Sequence, residues 1–193
     1  MIKKILNKEI LSLIKTLSLI KKNNFFKSNN FFKVSELCLK SIKNNNKIIF
    51  CGNGGSASDS QHLAAELIVR YKKNRKSIPA IALSSDNSII TAAANDLGFK
   101  YIFSRQLEGL GKKGDIVICL TTSGNSQNLI EVCKEAKKKE IMSVCFSGNK
   151  GGKLIKYADI SVIVPSKITS VIQVVELMLG QVLCEYLEIK TIS

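Results

Sequence analysis

The stretch Ile48–Leu67, IIFCGNGGSASDSQHLAAEL, decides the fold. Ile48 to Cys51 form a short apolar run, the composition of a strand covered on both faces. The run stops at Gly52-Asn53-Gly54-Gly55; Ser56 and Ser58 follow, and then a helical pattern. A strand that ends in a glycine turn and feeds a helix is the opening of a parallel βαβ unit. Glycines permit positive φ and close backbone approach. The helix start offers unpaired N–H groups and about half a positive charge. The loop is not a P-loop, since no Gly-Lys-Ser/Thr follows, and its glycines lack the GxGxxG spacing. Taken alone, it reads equally as a tight turn with capping serines.

Outward from this stretch, further strands are expected at Ile78–Leu83, Asp115–Leu120, Met142–Phe146 and Ile160–Val164. Helical patterns lie near 57–73, 99–110, 126–139 and 169–188. Five strands with helical crossovers predict an α/β protein, a three-layer α/β/α sandwich on a parallel sheet. Ahead of the first strand, Ile2, Ile5, Leu6, Ile10, Leu13, Ile14 and Leu17 recur at helical spacing over 2–22. KKNNFFKSNNFF breaks that helix, and a second begins over Val34 to Ile42. The chain thus divides into an N-terminal helical hairpin, 1–46, whose apolar stripe needs another surface, and a single structural unit, 47–193.

Composition excludes several classes. With 193 residues and 45% hydrophobic content, the chain can bury a real core. The net charge of +14 invites a nucleic-acid reading, but only Arg70, Arg75 and Arg105 are arginines and the lysines are scattered, so no base-reading face is expected. Six cysteines without a CxxC pair fit a reduced cytoplasm. The apolar segment Ile168–Ile189 is interrupted by Gln173, Glu176, Gln181 and Glu185, so no membrane span is expected.

Ligands of open parallel sheets gather at the carboxyl ends of the strands. A second unusual loop stands at such an end: LTTSGNSQN, in which Thr121, Thr122, Ser123 and Ser126 surround Gly124 and a helix opens near Asn125. Hydroxyls and helix-start amides make a neutral cradle for a phosphate dianion. Two such loops on neighbouring strand ends point to phosphate binding. His62, the only histidine, stands four residues before Glu66, so both share one face of the helix beyond the first loop. Such a pair binds a metal or handles protons.

GNGGSASDSQHLAAEL, AANDLGF and TTSGNS resemble the sugar isomerase (SIS) domain, of flavodoxin-like fold, and within it the phosphoheptose isomerases. The resemblance spans about Lys47 to Leu187. It implies interconversion of sedoheptulose 7-phosphate and D-glycero-D-manno-heptose 7-phosphate through an enediol, for lipopolysaccharide or another surface glycan. It also implies a cytoplasmic homotetramer with sites at subunit interfaces. By the same resemblance the phosphate lies against Ser56, Thr121, Ser123 and Ser126, with Asn53, Gly54 and Thr122 close by. Asn95 and Asp96 approach the sugar hydroxyls, Arg70 stands at the site, and Glu66 moves the proton. His62, Glu66 and Gln173 match positions that hold zinc in some members.

The chain departs from the family in SVIQVVELMLGQVLCEYLE. Eight residues after Gln173, where the family places a catalytic and metal-binding histidine, stands Gln181, and Ser170 replaces an aspartate. Glutamine is no acid or base near neutrality, though its amide can reach a metal or substrate. Eight helical residues also span about 12 Å, too far for Gln173 and Gln181 to share one ion easily. A non-catalytic phosphosugar-binding module, like the protein that associates with the bacterial replication initiator, is the alternative; the retained loops and Glu66 speak against it.

Overall fold

The computed structural model describes residues 1–22 and 30–192. In chain order the elements are α1 (Ile2–Lys22), α2 (Phe31–Lys43), β1 (Ile48–Gly52), α3 (Gly55–Ile68), β2 (Ala80–Ala82) and α4 (Asn87–Asp96). A 3-10 turn (Phe99–Tyr101) leads to α5 (Ser104–Leu110), β3 (Ile116–Thr121), α6 (Gln127–Lys138), β4 (Met142–Ser147), β5 (Ile160–Ile163) and α7 (Thr169–Ile192).

The five strands form one parallel sheet in the order β2-β1-β3-β4-β5. After β1 the chain first builds β2 on one side and then crosses to β3 on the other. The β1/β3 boundary is therefore the topological switch point, where connecting loops diverge and leave a crevice at the strand ends. Side-chain alternation separates two apolar layers. Ile48, Phe50, Ile118, Leu120, Val144 and Phe146 face α2, α3 and α7. Ile49, Cys51, Val117, Cys119 and Cys145 face α4, α5 and α6. Every residue of β1 and β3 is buried, which explains their unbroken apolar runs.

Both N-terminal helices contribute to the first of these layers through Ile20, Phe31, Val34, Cys38 and Leu39. They also lie against α7: Ser170 Oγ donates to Glu9 Oε2 at 2.6 Å, and the Tyr186 hydroxyl donates to Glu36 Oε1. By length and apolarity α7 could cross a membrane, but Val171, Val175, Leu179, Leu183 and Leu187 are packed inside the protein, and it is a core helix.

The structure moves several boundaries. The α2 helix starts at Phe31, and most of the break before it falls on residues 23–29, outside the described residues. The β2 strand shrinks to three residues. The helix expected near 99–110 is a 3-10 turn and the short α5, while an unexpected helix, α4, precedes it. Asp86 explains α4, because its carboxylate caps the helix by accepting the Ile89 N–H at 2.9 Å. The α3 helix ends at Ile68 rather than near 73, and α6 opens at Gln127 rather than near Asn125.

Candidate active site

The two loops expected to hold phosphate stand side by side because β1 and β3 pair in register, with Gly52 opposite Leu120. In the first, a Cβ on Gly52 would lie 2.6 Å from the backbone oxygen of Ser56, so only glycine lets the chain turn so tightly into α3. The Ser56 N–H donates to Asn53 O at 3.1 Å, which tightens the turn, and Ser56 itself is buried. In the second, the Gly124 N–H donates to Thr121 Oγ1 at 3.2 Å and the Asn125 N–H to Ser123 Oγ at 3.3 Å. Ser126 immediately precedes α6, yet its hydroxyl does not cap that helix. The starts of α3 and α6 thus follow the ends of the paired strands β1 and β3, with Thr121 at the end of β3 and Thr122, Ser123 and Ser126 between β3 and α6.

Asn53 also links the first loop to the helix that follows the second. Its amide pairs with that of Asn128, donating to Oδ1 at 3.0 Å and accepting from Nδ2 at 2.8 Å. The pair ties the first loop to the first turn of α6. Sequence reading passed over Asn128 because nothing marks a helical asparagine as the partner of a loop 75 positions earlier.

A third segment, after β4, braces the second loop. The Leu154 N–H donates to Gly124 O at 2.8 Å, and the Lys153 N–H to Asn125 Oδ1 at 3.1 Å. Gly124, at φ +66°, could carry no Cβ without striking the Gly151 carbonyl. Asn149, Lys150, Gly151 and Gly152 all take positive φ. The glycines of SGNKGGK, 147–153, were the available signal for this brace.

Further along α3, about two turns past its start, His62 Nε2 lies 2.9 Å from Glu66 Oε1, as the i, i+4 spacing required. The Glu66 side chain is 19% exposed and that of His62 is 44%, so both remain reachable from solvent. The α3 and α7 helices run parallel, since Gly55 faces Gln173 and Leu63 faces Gly180. A Cβ at Gly55 would lie 2.5 Å from Gln173 Nε2, so the Gln173 amide sits over the start of α3. Gln181, one residue past Gly180, comes level with the His62–Glu66 turn.

Asn95 Nδ2 donates to Asp96 Oδ1 at 2.7 Å, both side chains being exposed at the end of α4. Arg70 is exposed beyond the end of α3. As for zinc, no group of three or more His, Cys, Asp or Glu side chains among the described residues is arranged to hold a metal ion. His62 and Glu66 are two good donors bonded to each other, and the remaining members of the implied set, Gln173 and Gln181, are amides. Protein zinc sites take three or four His, Cys or carboxylate ligands. Of the implied set, His62 and Glu66 alone are of those types among the described residues.

Beneath the site Glu176 of α7 is fully buried, with neither carboxylate oxygen hydrogen-bonded. Burial, aided by the negative charge of Asp59, pushes its carboxyl up to about 9. All six cysteines are free and buried, and burial pushes the Cys38, Cys145 and Cys184 thiols up, away from nucleophilic behaviour.

A five-stranded doubly wound sheet with two hydroxyl-lined loops at its switch point defines a sugar isomerase domain, and the family model described as SIS domain matches residues 14–148. The chain is 47% identical over 154 residues to a phosphoheptose isomerase of Nitratiruptor, covering 80% of this chain and 82% of that one. It is 48% identical over 155 residues to that of Sulfurimonas denitrificans, covering 80% of each. The structure of the Neisseria gonorrhoeae phosphoheptose isomerase superposes with a TM-score of 0.90 at 32% identity, covering 97% of this chain and 99% of that one. The chain belongs to the phosphoheptose isomerase family.

Proposed function

We propose that this chain isomerises sedoheptulose 7-phosphate to D-glycero-D-manno-heptose 7-phosphate, with Glu66 as the base. The observation that carries the reading is the His62–Glu66 pair, 2.9 Å apart, about two to three turns along the helix whose start forms half of the phosphate cradle. The phosphate is read as held by Ser56, Thr121, Thr122, Ser123 and Ser126, with the backbone of Gly54 alongside. Helix-start N–H groups then stabilise the dianion without a lysine. Anchored there, the sugar extends toward Glu66. Glu66 takes the proton from C1, the C1–H electron pair becomes the C1=C2 bond, and the C2 carbonyl oxygen gains a proton. The enediol then loses its O1 proton, and Glu66 returns its proton to C2. His62, bonded to Glu66, orients the carboxylate and is the nearest group able to serve the oxygens. Gln181 is read as a hydrogen-bonding group rather than an acid, since an amide does not titrate. No step is routed through zinc, because Gln181 stands where the implied set has a histidine.

The exposed Ile2, Ile5, Leu6, Ile10, Leu11 and Ile14 of α1 support a homotetramer in which the 1–46 arm covers a neighbouring subunit. A cytoplasmic role feeding heptose into lipopolysaccharide or another surface glycan follows from the substrate. The retained Glu66–His62 pair argues against the non-catalytic alternative. Purified protein incubated with sedoheptulose 7-phosphate should form the aldose. Glu66→Gln should lose turnover while still binding the phosphosugar, and normal turnover by that variant would refute the assignment of the base. Gln181→His tests the departure: a higher rate would mean that the native site lacks an acid, and a lower one that the amide suits its task.

A further inference from the structure

Glu66 occupies the last turn of α3, which ends at Ile68. Carbonyls in a final turn have no helical N–H above them, so such a turn frays unless other donors cap it. Here the donors come from Arg75. Its Nη2 donates to the carbonyl of Glu66 itself at 2.7 Å, and its Nη1 donates to Leu67 O at 2.7 Å and Lys76 O at 3.0 Å. Leu67 O also accepts the Ile78 N–H at 3.0 Å, so the helix end is stitched to the approach of β2. The guanidinium meets the negative pole of the helix, where a cation is favoured.

The Arg75 side chain is only 3% exposed, and its charge is balanced by Glu188 from the far end of α7, itself 1% exposed. Arg75 Nε lies 3.2 Å from Glu188 Oε2, close enough for an ion pair though not aligned as a hydrogen bond. Glu188 also accepts three consecutive backbone N–H groups, from Tyr71 at 3.0 Å, Lys72 at 2.9 Å and Lys73 at 2.8 Å. The carboxylate therefore folds the chain leaving α3 into a tight return that delivers Arg75 to the helix end. A buried ion pair is seldom better for stability than apolar residues of the same volume. What this one does supply is a defined geometry for the turn that carries Glu66.

We propose that Arg75 is a positioning residue for the isomerisation, holding the Glu66 carboxylate in register with the substrate by gripping the carbonyl of the same residue, with Glu188 as its anchor. The proposal rests on the reading of Glu66 as the base. Arg75 touches neither phosphate loop, and the phosphate cradle lies at the opposite end of α3, so the grip bears on proton transfer and not on phosphate binding. A misplacement of about 1 Å in a catalytic group costs roughly 10²-fold in rate. A lysine cannot reproduce the fork that spans the carbonyls of Glu66, Leu67 and Lys76.

The test is steady-state kinetics on Arg75→Lys and Glu188→Gln, below their melting temperatures and normalised to folded protein, with Glu66→Gln beside them. The expected result is a fall in kcat of about 10- to 100-fold for Arg75→Lys, with KM and the inhibition constant of inorganic phosphate within about twofold of the parent. A smaller fall in kcat alone is expected for Glu188→Gln, whose side chain keeps its size and an oxygen for the backbone donors. If Arg75→Lys does not fold, Glu188→Gln decides. A kcat within twofold of the parent, or a loss confined to KM, overturns the proposal. Normal turnover by Glu66→Gln would instead overturn the reading of the base, a separate and recognisable failure.

Discussion

Replacing Glu176 by Gln should make stability less sensitive to pH, by an amount that the burial of this side chain sets. Glu176 is fully buried, and neither oxygen has a partner. Burial first, and the Asp59 charge second, raise its carboxyl from 4.5 to about 9. Between those values the folded protein keeps a proton that the unfolded chain has released. Unfolding therefore releases a proton, and stability falls as pH rises, by about 1.4 kcal/mol per unit. The contribution is fully present below 4.5 and is lost progressively up to about 9. From pH 6 to pH 8 the parent should lose about 3 kcal/mol relative to Glu176→Gln, a large share of the 5 to 15 kcal/mol typical of a domain. Glutamine is of nearly the same shape and does not titrate. Any penalty for burying its amide is constant with pH and drops out of the slope. Urea unfolding of both proteins at pH 6, 7 and 8 measures the difference directly. If the two stabilities stay parallel within about 0.5 kcal/mol, well below the shift expected from linkage, Glu176 is ionised in the fold and the reasoning fails.

The Asn53–Asn128 amide pair should show a coupling energy of about 1 to 2 kcal/mol in a double-mutant cycle with alanine, read by urea unfolding, because two hydrogen bonds join the loop after β1 to the first turn of α6. Additive effects would show that the loops are held by other means. Gly124→Ala should raise KM for the phosphosugar and cost at least about 1 kcal/mol, since the new Cβ meets the Gly151 carbonyl and φ is positive. Unchanged KM would mean that the second loop does not form the cradle. Glu188 behaves oppositely to Glu176. Burial alone would raise it, but the N–H groups of Tyr71, Lys72 and Lys73 and the Arg75 charge outweigh that and hold its carboxyl below the ordinary carboxylate value. Its stabilisation is therefore present above the unfolded value of 4.5 and lost as pH falls through the lower folded value. Glu188→Gln should flatten the acid limb of a melting-temperature profile; an unchanged limb would contradict this.

Much of the architecture was legible because its signals are local. Buried parallel strands require unbroken apolar runs, so β1, β3 and β4 were found within a residue or so. Glycine turns and hydroxyl clusters follow from backbone sterics, and His62 and Glu66 meet because helical geometry brings i and i+4 together. The α4 helix was missed although Asp86 carried a capping signal, because the small, polar NSIITAAAND has too weak an apolar stripe to announce itself. The α3 helix was extended too far because the chain past Ile68 keeps helix-forming residues. What ends it is Glu188, 115 or more positions away, drawing three backbone N–H groups out of line.

The remaining decisions belong to packing. Asn53 gains its tie to Asn128 only when β1 and β3 pair in register. Arg75 reads as one basic residue among many until the chain folds back and sets it on the Glu66 carbonyl. Glu176 sits in an amphipathic-looking helix, and only the closure of α3 over α7 strips it of water and keeps its proton on. Periodicity and turn chemistry are properties of neighbours along the chain, so they can be read in advance. Partnership and desolvation depend on which distant surfaces meet, and no stretch of sequence carries that by itself.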